Sequence, residues 1–195
     1  MTAARFSIVI SGWPAVGKTT IAGELAKEFG LSHYNGGDIL KMLAAERGYS
    51  TDASKSDWWD TPEAKKFMEE RKRDSTFDKK VDSKLSEILK NENAVITSYT
   101  LPWLVNDERI IKFWLKGSSH NRAARMANRD KIPIEQAEKI VDVRDGENKK
   151  IYRSLYGFVF GDDLSVFDYA LNTDRLSLDA LVEISKLIVR HHASR

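Results

Sequence analysis

Three features of the 195-residue chain predict an α/β fold, a parallel sheet flanked by helices. Short β-rich runs alternate with helical periodicity, the first run is apolar without alternation, and a glycine-rich turn joins that run to a helix. Strand–helix–strand order implies crossover connections, and in such sheets ligands bind beyond the strands' carboxyl ends.

The elements follow in order. Phe6-Ser-Ile-Val-Ile-Ser11 suits a strand covered on both faces. Helical spacing runs from Thr20 to Phe29 and closes at Gly30, a C-cap position. His33-Tyr34-Asn35 is a brief second strand, and Asp38 is placed to cap a helix reaching Arg47-Gly48. Residues 61 to 92 are helical and highly charged, with a pause near Ser75-Thr76, and are expected to form a solvated insertion rather than core. Ala94 to Thr97 and Ile110 to Leu115 are strands between polar or proline-containing turns. Helices are expected from about Asn121 to Arg129 and from Ile134 toward Tyr152, then a strand over Val166 to Leu171 and a terminal helix over Leu178 to Val189.

Composition limits the function classes. At 42% hydrophobic and 31% charged, the chain is an ordinary globular sequence long enough for one domain with its own core. It has no cysteine, which excludes disulfide scaffolds, thiolate nucleophiles and iron–sulfur clusters. The uncharged stretch Phe6 to Val16 falls well short of the ~20 apolar residues of a membrane span. Met1-Thr-Ala-Ala-Arg5 lacks the features of a secretory signal, so a cytoplasmic location is expected. With 31 Lys+Arg against 29 Asp+Glu the net charge is +2, which lends no support to nucleic-acid binding.

Gly12-Trp13-Pro14-Ala15-Val16-Gly17-Lys18-Thr19 matches G-x-x-x-x-G-K-[ST] in full, after a predicted strand and at the start of a predicted helix. In this P-loop, backbone N–H groups and the positive helix end surround a β-phosphate, with Thr20 next in line. Lys18 supplies charge toward the β- and γ-phosphates, and the Thr19 hydroxyl is the expected Mg²⁺ ligand.

Asn172-Thr173-Asp174 does not supply the Asn-Lys-x-Asp guanine reader of a GTP switch, which leaves small-molecule phosphotransfer from ATP as the economical reading. Arg122, Arg125 and Arg129 share one helical face, and the basic series continues through Arg144, Lys149, Lys150 and Arg153. Cations carried on a closing lid, Arg144 and Lys149 among them, would neutralise the transferring phosphoryl group and exclude water. A different class, a regulatory or RNA-associated P-loop ATPase, would hydrolyse ATP without an acceptor and bind RNA in a salt-sensitive way.

The chain resembles the archaeal cytidylate kinases, P-loop kinases of the nucleoside-monophosphate-kinase fold. The resemblance rests on Gly12 to Thr20, on Gly37-Asp38-Ile39-Leu40, and on Phe113-Trp-Leu-Lys116 with the Arg122/Arg125 helix. It also rests on Tyr156-Gly157 and on Asp162-Asp163-Leu164-Ser165-Val166-Phe167-Asp168 with Asn172-Thr173. It implies a three-layer P-loop kinase with core segments 1–35, 93–129 and 158–195, a helical acceptor-binding insertion 36–92 and an arginine-rich lid 130–157. It further implies that Arg125 packs against adenine and that Arg144 belongs to the lid.

The departures lie on the acceptor side. A Gly-Glu-Ile-Phe-Arg-type segment becomes Gly37-Asp38-Ile39-Leu40-Lys41, an arginine- and glutamine-bearing stretch becomes Asp82-Ser83-Lys84-Leu85, and Glu-Gly-Arg becomes Thr97-Ser98-Tyr99. Arginine forks hold phosphate bidentately, and neither lysine nor tyrosine reproduces that geometry. The expectation is that the ATP chemistry is kept and the acceptor replaced. The leading candidate is a small phosphorylated alcohol, as in a branch resembling the archaeal mevalonate 3-phosphate 5-kinase of isoprenoid biosynthesis, with CMP or dCMP as the alternative. Asp38 is then the candidate base for the alcohol proton, and Lys41, Lys84 and Tyr99 are candidates to hold the acceptor's anion. Trp58-Trp59 is read as lid or dimer packing in a monomer or homodimer, and His191 and His192 as exposed.

Overall fold

The computed structural model describes residues 6–51 and 58–193, so the Met1–Arg5 reading lies outside it. Five strands, β1 (Ser7–Gly12), β2 (Ser32–Asn35), β3 (Ala94–Thr97), β4 (Ile110–Lys116) and β5 (Tyr169–Asn172), form one sheet in the order β2-β3-β1-β4-β5. Every pairing is parallel. The fifth strand starts later than the apolar run suggests, because Phe167 closes a turn onto Leu164 and the Asp168 carboxylate accepts the Lys112 N–H before pairing begins.

The helices are α1 (Lys18–Phe29), α2 (Gly36–Glu46), α3 (Pro62–Arg73), α4 (Thr76–Asn91), the single turn α5 (Leu101–Leu104), α6 (Ser119–Asp130), α7 (Ile134–Tyr156) and α8 (Leu178–Ala193). β1 shows why the opening run does not alternate. Ile8 and Ile10 pack on one face with Ile21 and Leu25 of α1 and Leu181 and Val189 of α8. Val9 packs on the other with Leu40, Phe67, Leu85 and Ile96. Both faces are covered, so both parities are apolar.

Two expectations need correction. The cap of α2 is Asn35, whose side chain accepts the Gly37 N–H, so Asp38 stands within the first turn of the helix. The segment read as solvated also contributes core: Ala64, Phe67, Phe77, Val81 and Leu85 are buried, and with them Arg71, Asp78 and Asp82. On α4 the residues Phe77, Asp78, Val81, Asp82 and Leu85 form one inward stripe, so two carboxylates ride on the apolar face of a charged helix.

Candidate active site

β1 sits in the middle of the sheet, with β3 and β4 on either side, and the chain leaves its carboxyl end through the P-loop into α1. Gly12 lies opposite Leu115, and a Cβ there would come within 2.2 Å of the Leu115 carbonyl oxygen, so only glycine lets the loop pass over β4. Gly17 (φ 91°) and Ala15 (φ 62°) are left-handed, which turns the loop around a hollow at the start of α1. A non-glycine residue held in that conformation is strain that the surrounding fold must impose. Trp13 points away from the hollow, edge-on to Phe160 at 4.8 Å and to Trp114 at 6.2 Å, and anchors the loop to an aromatic cluster.

The loop opens into a cleft of about 1280 Å³. A single small-molecule pocket occupies about 300–1,000 Å³, so the cleft has room for two substrates. Pro14 to Thr20 form one end. Lys18 Nζ donates to the carbonyls of Gly12 and Trp13, both at 2.8 Å, and lies 4.8 Å over the Tyr99 ring. Burial, with nearby Arg122 adding to it, lowers the Lys18 pKa to about 7.

The other end is built on α3 and α4. Arg71 donates to both oxygens of Asp78, at 2.9 and 2.6 Å, and to the Tyr152 hydroxyl at 3.2 Å. Burial works against its charge, but Tyr152 and Asp78 together more than offset it and the guanidinium is held protonated. One turn after Asp78, Asp82 accepts from the hydroxyls of Thr100 and Tyr156, each at 2.5 Å. Burial pushes the Asp82 pKa up, and the two hydroxyl donors pull against that shift. The Tyr156 phenol is pushed up as well, by burial and by its bond to Asp82.

Of the residues singled out by sequence, Pro14, Ala15, Val16, Gly17, Lys18, Thr19, Thr20, Asp38, Tyr99, Arg125 and Arg144 line this cleft. Gly12, Trp13, Lys41, Lys84 and Lys149 do not. Lys84 is exposed and stands off the inward stripe of α4, and Lys41 likewise falls outside the lining of α2. Lys149 is exposed, 5.4 Å over the Trp13 ring and 3.9 Å from Asp162. Arg122 is no cleft cation either. It is buried, pairs with Asp145 at 2.9 and 2.5 Å, and donates to the Pro14 carbonyl. Arg125 bonds the hydroxyl and carbonyl of Thr173 at 2.9 and 2.6 Å. Trp58 is buried, donating to the Ser50 carbonyl, whereas Trp59 lines the cleft. His192 is partly covered and meets the Tyr169 hydroxyl at 2.7 Å.

Arg71, Asp78, Tyr152 and the Thr100 hydroxyl line the end built on α3 and α4, and sequence reasoning missed them as site residues. A signal existed. Arg71 continues the stripe Ala64–Phe67–Arg71, as Asp78 and Asp82 continue Phe77–Val81–Leu85, and charges on an apolar stripe require partners.

Known proteins agree with this architecture. The cytidylate kinase-like family model matches residues 7–175. A cytidylate kinase of Halorubrum lacusprofundi is 35% identical over 179 residues, covering 91% of this chain and 85% of that protein. One from Pyrobaculum islandicum is 36% identical over 178 residues, covering 91% and 89%. Among solved structures, a gluconokinase from Sinorhizobium meliloti superposes with TM-score 0.60 at 15% identity over 98% of this chain and 95% of its own. A shikimate kinase from Bacteroides thetaiotaomicron gives 0.57 at 16% over 98% and 100%. A complete P-loop on a parallel sheet, a cleft large enough for two substrates and relatives matched along nearly the whole chain place this protein in the cytidylate kinase-like family, as an ATP-dependent phosphotransferase.

Proposed function

We propose that the protein transfers the γ-phosphate of ATP to a cytosine nucleoside monophosphate, CMP or dCMP. The observation that carries this reading is the buried Asp82 carboxylate at the acceptor end, steadied by Thr100 and Tyr156 beside the Arg71–Asp78 pair. A fixed carboxylate accepts hydrogen bonds, and an exocyclic amino group donates two of them. A carbonyl at the same place would oppose it. The relatives named cytidylate kinase support the same acceptor, and they weigh against the phosphorylated alcohol and the isoprenoid role expected from the missing arginines.

In this reading the P-loop, with Lys18, holds the β- and γ-phosphates, and segment 130–157 is the lid that brings Arg144 over them. Magnesium fits the residues present. Thr19 and the buried Thr97 Oγ1, which has no hydrogen-bond partner in the fold, are oxygen donors lining the cleft, as a hard cation requires. Among the described residues no group of three or more His, Asp or Glu side chains could hold the ion alone, so it would arrive with the nucleotide's phosphates. When bound it neutralises charge on the β- and γ-oxygens.

A second reading keeps one observation in its favour. β3 ends in Thr97-Ser98-Tyr99 with no guanidinium for an acceptor phosphate, while Asp38 lines the cleft where a base could take an alcohol proton. Following ADP release with CMP, dCMP, UMP and mevalonate 3-phosphate separately decides between the two. CMP or dCMP should exceed UMP by roughly 10–100-fold in kcat/KM, the penalty of facing a carbonyl to a charged acceptor. Turnover with mevalonate 3-phosphate and none with CMP would establish the second reading. ATP hydrolysis indifferent to every acceptor would return the ATPase class.

The lowered Lys18 pKa adds a pH dependence to nucleotide binding. A polyphosphate favours the ammonium form, so above pH 7 binding must be accompanied by proton uptake. Affinity for ATP is expected to weaken by up to about tenfold per pH unit between pH 7 and 9. Calorimetry in buffers of different ionisation enthalpy should register the proton. A flat affinity profile across that window would refute the assignment.

A further inference from the structure

One helix touches both ends of the cleft. Near its middle, Asp145 of α7 pairs with Arg122, whose guanidinium also donates to the Pro14 carbonyl of the P-loop and to the Gly117 carbonyl at the end of β4. Two and three turns further along the same face, Tyr152 accepts from Arg71 of α3 and Tyr156 donates to Asp82 of α4. Between Asp145 and Tyr152, Glu147 pairs with Lys72 of α3 at 2.6 Å. From Asp145 to Tyr156 this face spans about 16 Å of continuous helix, too short a rod to bend without breaking its own hydrogen bonds.

Around the two phenols the packing is aromatic. Tyr152 and Tyr156 both stack on Phe158, at 6.2 and 6.1 Å, and Phe158 in turn lies flat on Trp103 of α5 at 4.5 Å. The rings are therefore held from behind, and the hydroxyls are presented forward to the acceptor arm. Tyr152 is buried, and losing its hydroxyl alone leaves the ring stack intact.

We propose that Tyr152 and Tyr156 are positioning residues that orient Arg71 and Asp82 from the lid helix, so that a nucleotide that fixes α7 also orders the acceptor end and the two substrates bind cooperatively. This rests on the nucleotide occupying the P-loop as proposed above, but not on which acceptor is used. The physical content is linkage. A nucleotide that fixes α7 through the P-loop, Arg122 and Asp145 fixes α3 and α4 through the two phenols, and the acceptor strengthens nucleotide binding by the same factor in return.

The test uses the full chain with Mg²⁺ and the non-hydrolysable analogue AMP-PNP, read by hydrogen exchange with no acceptor present. In the wild type, AMP-PNP should slow amide exchange in the P-loop and α7 and also in α3 and α4. In Tyr152→Phe/Tyr156→Phe the protection of the P-loop and α7 should persist while that of α3 and α4 is lost. The single variants separate the two links, because Tyr152→Phe should release α3 and Tyr156→Phe should release α4. They also serve if the double variant does not fold. A second arm measures AMP-PNP affinity with and without CMP. The wild type should show tightening of about 5–50-fold, and the double variant less than about twofold. Protection of α3 and α4 that is absent in the wild type, or unchanged in the variants, would overturn the proposal. Failure of the cytidylate reading shows separately, as absent ADP release with CMP while the exchange pattern still reports.

Discussion

Lys18→Ala should lower kcat for ADP formation by about 10²–10³-fold, the scale seen when a preorganised donor to developing charge is removed. The fold should survive. In the free protein Lys18 Nζ caps the carbonyls of Gly12 and Trp13 and lies over the Tyr99 ring, and its burial disfavours the charged form. Removing it therefore relieves one unfavourable burial while losing two modest hydrogen bonds at a partly open loop. The thermal midpoint is expected to move by no more than a few degrees, and circular dichroism should be unchanged. A coupled assay for ADP release together with a melting curve checks both halves. A variant that turns over at the wild-type rate would remove the P-loop lysine from the reaction.

Arg71→Leu should have the opposite profile, a large loss of stability before any question of turnover. Arg71 and Asp78 are 6% exposed each and joined by two hydrogen bonds, so removing the cation strands a carboxylate in the core. Breaking a buried pair from one side costs about 3–5 kcal/mol, which for a domain of this size lowers the thermal midpoint on the order of 10 °C. Arg71→Leu/Asp78→Leu removes both charges and should recover most of that loss, because an apolar pair of similar volume is often neutral. The recovered double variant should still bind acceptor poorly, since the polar acceptor end has lost two of its members. Differential scanning calorimetry of the three proteins separates the outcomes. Equal midpoints for Arg71→Leu and wild type would mean that the pair is not the closed, desolvated unit described.

Local chemistry and distant packing divided the legibility of the site. The P-loop was readable because its function needs glycines, a lysine and a hydroxyl at fixed separations along one turn, and Gly12 to Thr20 line or underlie the cleft as that pattern requires. The acceptor end was not. Lys41 and Lys84 occupy positions that match the family's arginines, and helix rotation turns both off the cleft lining. Arg71 was overlooked because a single arginine among Arg71, Lys72 and Arg73 reads as solvated surface until the facing helix is known. Arg122 shows the converse error, since three arginines on one helical face suggested a shared role. The buried pair with Asp145 makes the first of them part of the frame.

By itself, then, the amino-acid order determined the parallel α/β class, the positions of the strands to within a few residues, and the phosphate end of the cleft. Each of these depends on periodicity or on spacing within one turn of chain. Only the tertiary structure decided how α3 and α4 build the other end of the cleft and tie it to α7. Those contacts join α3, α4 and α7 across 81 residues from Arg71 to Tyr152 and 74 from Asp82 to Tyr156. No local rule states which charged residue on a helix will face a partner that far along the chain. That choice is made when desolvation penalises every unpaired charge and the packed helices bring polar partners to each buried one.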